Sequence, residues 1–226
     1  MPGAVIEAIF QDRGDGSSSY DVGNGSRATF WFGYAYQVDG RRQYTGFVEQ
    51  SPDHFGSDSA ADDPPSAKAT LTQATFVIDN ARAGWSFVGA QRSIGEVGGR
   101  GQADAIDPSR QPVMHVVSPT RLLLAVPTVA AIEQGTVQKN YELLLRGDKG
   151  AWLHIGTVNA GYDDRAGCDG GRAFPCTSMR GRLTFERGTG EMPSIRIALE
   201  PNARDAPGAG MATYRFDPTT SSYRTR

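Results

Sequence analysis

The sequence contains few of the residues that mark a particular chemistry. There are only two cysteines and three histidines among 226 residues, and their spacing matches neither a zinc site nor a Cys-x-x-Cys redox motif. The Gly-x-Ser-x-Gly turn of an α/β-hydrolase and the Gly-Lys-Ser/Thr ending of a phosphate-binding loop are also missing. No catalytic motif is therefore evident, and the prediction leans away from an enzyme.

The chain also has little net charge and no long apolar run. The chain has 23 Lys and Arg against 25 Asp and Glu, which gives a net charge of −2. Its basic residues are scattered singly, whereas a nucleic-acid-binding protein usually clusters them on one face. The longest aliphatic run, Leu122–Val126, is far shorter than the roughly 18 residues of a membrane helix. We therefore expect no nucleic-acid partner and no membrane span.

Glycine and proline, in contrast, are abundant, with 28 and 13 residues, and they separate short apolar runs. This placement is typical of short strands joined by tight turns. The clearest strand is Thr29–Val38, whose alternate residues are predicted to share one face: Phe30, Phe32, Tyr34, Tyr36 and Val38. Asp39-Gly40 then predicts a type I′ turn, with Gln43–Val48 as the partner strand.

Further strands are predicted along the chain. Three hairpins are Thr70–Asp79 with Trp85–Gly89, Tyr141–Arg146 with Trp152–Val158, and Arg182–Arg187 with Ser194–Leu199. His115–Val117 and Arg121–Val126 are strands separated by Ser118-Pro119, and Met211–Phe216 leads through a turn to Tyr223–Arg224. Only Val129–Gly135 suggests a turn of helix. The predicted fold is all-β, an antiparallel, hairpin-rich sandwich or barrel with little or no helix.

We expect one domain, residues 1–226. A Trp-x-x-aliphatic-Gly pattern begins at both Trp85 and Trp152. Such a pattern is consistent with an internal repeat, although a tryptophan after a hairpin turn is also a common way to cover a sheet edge. Two similar halves, roughly 1–110 and 111–226, are therefore a second possibility.

The two cysteines, Cys168 and Cys176, flank a short loop rich in glycine and aspartate. We predict a disulfide, which would stabilise the folded chain by roughly 2–3 kcal/mol for a ring of this size; free thiols and metal ligation are the alternatives. A disulfide indicates an oxidising compartment, so we expect a periplasmic or secreted protein. Pro2–Glu7 lacks a signal-peptide pattern, as in a cytosolic protein or an exported one without its leader.

Carboxylates recur beside these cysteines, at Asp163, Asp164 and Asp169. Calcium takes about six to eight oxygen ligands, so an acidic, glycine-rich loop is a candidate calcium site. The spacing does not match an EF-hand, and aspartate and glycine are also ordinary turn residues. Calcium is therefore the one cofactor considered, with solvated turn residues as the alternative.

Aromatic residues cluster on the first hairpin. Trp31, Tyr34 and Tyr44 are candidate binding residues, because Trp and Tyr are favoured where apolar contact and a hydrogen bond are both useful. If exposed, they would form a platform for a sugar or a protein partner. The alternative is that they belong to the core.

The second half of the chain shows a characteristic order of segments: Leu122–Pro127, Trp152–Gly156, a Gly-Tyr-Asp-Asp loop with both cysteines, Met192–Ile197, and Tyr214 to Tyr223. In this order it resembles exported proteins of Gram-negative bacteria, some of which are periplasmic immunity proteins against secreted toxins. The resemblance implies an exported protein with a protein partner, and it assigns no functional residue.

The leading hypothesis is therefore a non-enzymatic exported β protein that binds a macromolecular partner, as an inhibitor or immunity protein. Two long polar segments, 51–68 and 161–180, are candidate contact surfaces, since binding residues are frequent in loops. The alternative is a carbohydrate-binding or carbohydrate-active protein, which the aromatic hairpin favours. A structural component of the cell envelope is a third possibility.

Overall fold

The computed structural model describes residues 2–23, 25–52, 66–79, 84–131, 135–168, 176–188, 190–201 and 210–225. These residues form one helix and fourteen strands: α1 (Pro2–Phe10), β1 (Ser19–Asp21), β2 (Arg27–Val38), β3 (Arg41–Gln50), β4 (Ala69–Asp79), β5 (Gly84–Val97), β6 (Ala105–Ile106), β7 (Val113–Val116), β8 (Leu122–Ala131), β9 (Val137–Arg146), β10 (Trp152–Asp163), β11 (Ser178–Glu186), β12 (Ser194–Pro201), β13 (Gly210–Asp217) and β14 (Ser222–Thr225). The predicted all-β, antiparallel fold with little helix is confirmed.

The strands form two sheets. One has five strands in the order β1-β2-β3-β4-β5, and the other has nine, in the order β14-β13-β12-β11-β10-β9-β8-β6 with β7 also paired to β8. Most neighbours in space are neighbours in sequence, as expected for a chain of hairpins. The described part of the chain has no helix that is long and apolar enough to span a membrane.

Residue contacts divide the chain into two compact units. The first comprises Met1–Asp104, Pro119–Arg121 and Arg146–His154, and the second comprises Ala105–Ser118, Leu122–Leu145 and Ile155–Arg226. The two short segments of the first unit interrupt the second unit in sequence, so this division is not a single cut near residue 110. A single domain, or two halves of similar fold, stays a prediction.

The β2–β3 hairpin forms where the sequence predicts it. Val38 pairs with Arg41 across a two-residue turn, and the turn residues Asp39 and Gly40 have φ angles of 49° and 67°. Both angles are positive, as a type I′ turn requires, and that turn matches the twist of the paired strands.

A bulge in β2 changes which side chains share a face. Phe30 pairs with Val48 but Phe32 pairs with Phe47, so Trp31 is an extra residue in the ladder. Phe30 therefore lies on the face that packs against the α1 cluster. Phe32 stacks on Phe47, on the opposite face, with ring centroids 6.5 Å apart. The prediction of one shared face was wrong for Phe30, because a bulge shifts the alternation by one residue.

Helix α1 packs on the five-stranded sheet and was not predicted. Its buried residues are Val5, Ile6 and Ile9, which have the spacing of one helical face. A methyl group added at Gly46 of β3 would lie only 2.6 Å from a Val5 methyl carbon. Glycine at this position therefore allows the helix to approach the sheet closely.

Hydrogen-bonded side chains cross the opposite face of this sheet. The Tyr36 hydroxyl lies 2.9 Å from Thr45 Oγ1, which lies 2.8 Å from Thr75 Oγ1. Thr75 donates to Gln73 at 2.9 Å, and Gln73 donates to Gln91 at 2.9 Å. These polar groups are tolerated away from water because each has a partner.

The nine-stranded sheet contains the core of the second unit. Its largest buried side chains include Leu123, Leu143, Ile195 and Ile197. Strand β8 continues to Ala131, so the predicted helical turn was wrong for residues 129–131. Residues 132–134 of that prediction lie outside the described part of the chain.

Candidate functional site

The predicted disulfide joins Cys168 to Cys176, with the two Cα atoms 5.5 Å apart. It links the end of the turn after β10 to the residue that leads into β11. No cysteine remains free, so the alternatives of free thiols and metal ligation are excluded in this structure. Residues 169–175, within the ring, lie outside the described part.

Asp163, a candidate calcium ligand, is paired with a cation of the chain itself. Arg165 donates to both of its carboxylate oxygens, at 2.9 and 2.6 Å, and Lys139 Nζ lies 3.7 Å from Oδ2. The hydrogen bonds from the Arg165 side chain hold the pKa of Asp163 well below its usual value. Both oxygens of this carboxylate are therefore engaged within the protein.

The second candidate ligand, Asp164, closes the base of the same loop. It accepts hydrogen bonds from the backbone N–H and the hydroxyl of Thr177, at 2.6 and 2.7 Å. Asp169, the third candidate, lies outside the described residues. Among those that are described, no group of three His, Cys, Asp or Glu side chains is suited to a metal ion, and calcium binding stays a prediction.

The three candidate binding aromatics do not form one surface. Tyr34 pairs with Thr45 of β3. Tyr44 directly precedes Thr45 and therefore points to the opposite face of the sheet. Trp31, the bulged residue, donates its indole N–H to the carbonyl of Asp104 at 2.8 Å. All three are partly exposed, and a binding role for them stays a prediction.

Tyr44 instead contacts an aromatic group on β4 and β5. Its ring packs edge-on against Trp85, with centroids 5.3 Å apart, and Phe76 of β4 packs against Phe87 at 5.8 Å. Burial raises the pKa of the Tyr44 hydroxyl above its usual value. Trp85 and Phe87 thus rest on a half-buried aromatic layer.

The exposed apolar residues of β5 are the surface that we name the β5 patch: Trp85, Phe87 and Val88. Their exposed fractions are 44%, 55% and 57%. β5 is the last strand of the five-stranded sheet, and a bulge opposite Thr75 and Phe76 makes Val88 an extra residue. The sequence predicted a strand at Trp85–Gly89, but no binding residue within it.

A sequence signal for the patch was available. Trp85, Phe87 and Val88 occupy both alternate and adjacent positions, so a regular strand with one buried face could not cover all three. Such a strand is either buried on both faces or exposed on one. What packs on each face of the sheet decides between the two, and this depends on residues that are distant in sequence.

Comparison with known proteins adds no function to this geometry. No protein-family model matches the chain, and searches of curated proteins and of solved structures found no match. The resemblance of the second half to exported Gram-negative proteins therefore stays a prediction.

Proposed function

We propose that this protein is a non-enzymatic binding protein that recognises another protein through the β5 patch. The observation that carries the proposal is the concentration of apolar surface. Seven large hydrophobic side chains are exposed in the described part of the chain, and three of them lie within four consecutive residues, Trp85 to Val88. Adjacent exposed apolar side chains of this kind are typical of interaction surfaces.

The composition of the patch favours a protein partner. Trp is enriched among the residues that dominate protein-binding energy, and Phe87 and Val88 offer apolar contact without a hydrogen-bonding group. A sugar-binding surface also needs polar groups beside its aromatic rings to bind the hydroxyls. The carbohydrate hypothesis therefore becomes an alternative outcome of the experiment below.

The edge position of β5 supports the same proposal. An edge strand has main-chain groups on one side that no strand of its own sheet pairs with, and an extended partner segment can bind there. The bulge at Val88 interrupts the regular ladder, and bulged edges are protected against indiscriminate pairing. Side-chain contacts with Trp85 and Phe87 are thus expected to provide most of the affinity.

The proposed biological role is that of an exported inhibitor or immunity protein. The disulfide fits an oxidising compartment, and a periplasmic or secreted location is part of the proposal. In that setting the partner is a secreted protein with an apolar contact surface. Such a partner would bury Trp85 and Phe87 on binding.

The test is affinity capture from the secreted proteins of the producing organism, followed by a binding measurement with the identified, purified partner. We expect W85S/F87S to weaken the complex at least about a hundredfold, as for the loss of central aromatic contacts. V116S is the control, because Val116 is equally exposed, at 56%, but lies on β7.

Three results would contradict the proposal. Equal weakening by W85S/F87S and V116S would show that the patch has no special role, and an unchanged affinity in the patch variant would place the contact elsewhere. A glycan array that is positive for the native chain and negative for W85S, without a captured protein, would favour the carbohydrate hypothesis. Thermal unfolding of each variant checks that the fold is retained.

A further inference from the structure

An open cavity of about 390 Å³ lies in the second unit, beside β11. Three arginines and one glutamate lie in its wall together with apolar side chains. The lining includes Arg110, Val113, Tyr141, Arg180, Arg182 and Glu200. A cavity of this volume is in the range that small-molecule ligands occupy.

The cavity lies beside the residues at which the ladder pairing of β11 with β10 ends. Only the first three residues of β11, Ser178–Arg180, pair with β10, whereas β11 continues to pair with β12 as far as Glu186. The lining residues of β11 begin at Arg180, where the pairing with β10 ends. The other walls of the cavity come from the segment before β7, from β7 itself, from β9 and from β12.

Arg110 forms a fixed part of the wall. Its Nη2 donates to the carbonyls of Thr128 and Asn140 at 2.7 and 2.9 Å, and its Nε donates to Asp107 at 2.7 Å. The guanidinium lies over the Tyr141 ring, 4.7 Å from its centroid. The side chain is thus held by groups on four sides and is only 3% exposed, so Arg110 fixes the shape of the wall.

The other two arginines supply charge at the cavity. Arg180 donates to the carbonyl of Ser109, and the side chain of Arg182 is exposed. Asp107 neutralises the charge of Arg110. The other charged lining residues are Arg180, Arg182 and Glu200, which together carry one net positive charge. This excess occurs on a chain whose net charge is −2, which makes it a local feature.

We propose that this cavity binds a small organic oxyanion, a carboxylate or phosphate that carries an apolar group. The planar guanidinium of arginine matches the two oxygens of such anions. Arg180 and Arg182 would bind the anionic end, while Val113, a partly exposed lining residue, would contact the apolar part. Glu200, directly opposite Arg180 in the ladder, would repel a second anionic group and so limit the charge of the ligand.

The experiment titrates the purified protein with benzoate, acetate, phenyl phosphate and inorganic phosphate. Calorimetry gives the affinity, and the amide NMR signals of Gln111 and Gly181, both lining residues, give the location. We expect benzoate to bind more tightly than acetate, because only benzoate has an apolar part. The benzoate and phenyl phosphate titrations distinguish a carboxylate site from a phosphate site.

R182Q is expected to weaken the binding of the preferred anion about tenfold, the loss of one charge-assisted hydrogen bond. R187Q is the control, since it removes the same charge from an exposed residue just beyond β11. E200Q is expected to strengthen binding by relieving a repulsion. Because Arg182 and Glu200 are both exposed, these variants are expected to fold normally.

The proposal is overturned if none of the four anions shifts the Gln111 and Gly181 signals. It is equally overturned if R182Q and R187Q weaken binding to the same extent, because the anion would then respond to overall charge. These outcomes are independent of the β5 patch, whose variants are not expected to alter anion binding.

Discussion

Arg110 and Asp107 form a buried ion pair, with Arg110 Nε 2.7 Å from Asp107 Oδ2 and side chains that are only 3% and 7% exposed. Asp107 also accepts hydrogen bonds from the backbone N–H and hydroxyl of Ser109, at 2.9 and 2.6 Å. Since Arg110 donates to carbonyls of β8 and β9, the pair fastens the segment between β6 and β7 to the nine-stranded sheet.

Removal of either partner is expected to destabilise the second unit strongly. D107N or R110M leaves one buried charge without its counter-ion, which typically costs about 3–5 kcal/mol. Urea unfolding at neutral pH measures the loss. E186Q is the control, because the Glu186–Arg196 pair is 43% and 41% exposed, and an exposed pair contributes about 0–1 kcal/mol. Equal losses in D107N and E186Q would contradict the prediction.

The same carboxylate should make stability depend on pH. Burial disfavours ionised Asp107, but hydrogen bonds from Ser109 and Arg110 outweigh burial and lower its pKa below the usual value. A lowered pKa in the folded state gives stability that is complete above about pH 5 and is lost as the pH falls. The difference in unfolding free energy between the native chain and D107N should therefore shrink in acid. A difference that stays constant from neutral pH into acid would refute this.

The disulfide is expected to contribute about 2–3 kcal/mol, because its ring spans eight residues of sequence separation and short rings restrict the unfolded chain least. C168S/C176S should lower the midpoint of urea unfolding accordingly, and a reductant should lower it for the native chain but not for the variant. Alkylation without reductant is expected to label no cysteine. Labelling of both under these conditions would contradict the bond.

The Gln91 side chain is expected to stabilise the first unit. Its amide oxygen accepts from Trp152 N–H at 2.7 Å, and its amide nitrogen donates to the Trp152 carbonyl at 3.2 Å. Q91A leaves these backbone groups and Gln73 without their partner, at a cost of about 1–3 kcal/mol.

Urea unfolding and hydrogen exchange at the Trp152 amide measure this effect. Q37A is the matched control, because Gln37 is an exposed residue of β2, where substitutions usually change stability by no more than about 0.5 kcal/mol. Faster exchange at Trp152 in Q91A alone is the expected result, and unaltered exchange in that variant would disprove the role of Gln91.

Local features of the fold were predictable because they depend on neighbouring residues. Asp39 and Gly40 specify their turn through backbone angles that these two residues adopt at little cost. The spacing of Cys168 and Cys176 likewise suited a disulfide within one loop. The β2 bulge at Trp31 was not predictable, since nothing in an alternating pattern shows where the partner strand skips a residue.

The candidate sites were less predictable than the fold. Trp31, Tyr34 and Tyr44 are close in sequence, yet the faces of β2 and β3 separate Tyr34 from Tyr44. The residues that the structure does bring to a surface, Trp85 and Phe87, were predicted only as a strand.

The sequence by itself determined that the chain is a series of antiparallel hairpins with one disulfide, because alternation, turn residues and cysteine spacing act over short distances. Only the tertiary structure decided that β5 lies at a sheet edge and that a cavity with three arginines opens beside β11. Arg110 and Arg182 are far apart in the chain. They border one cavity because β11 lies beside the segment before β7, where Arg180 donates to the carbonyl of Ser109, and that placement depends on the packing of whole strands.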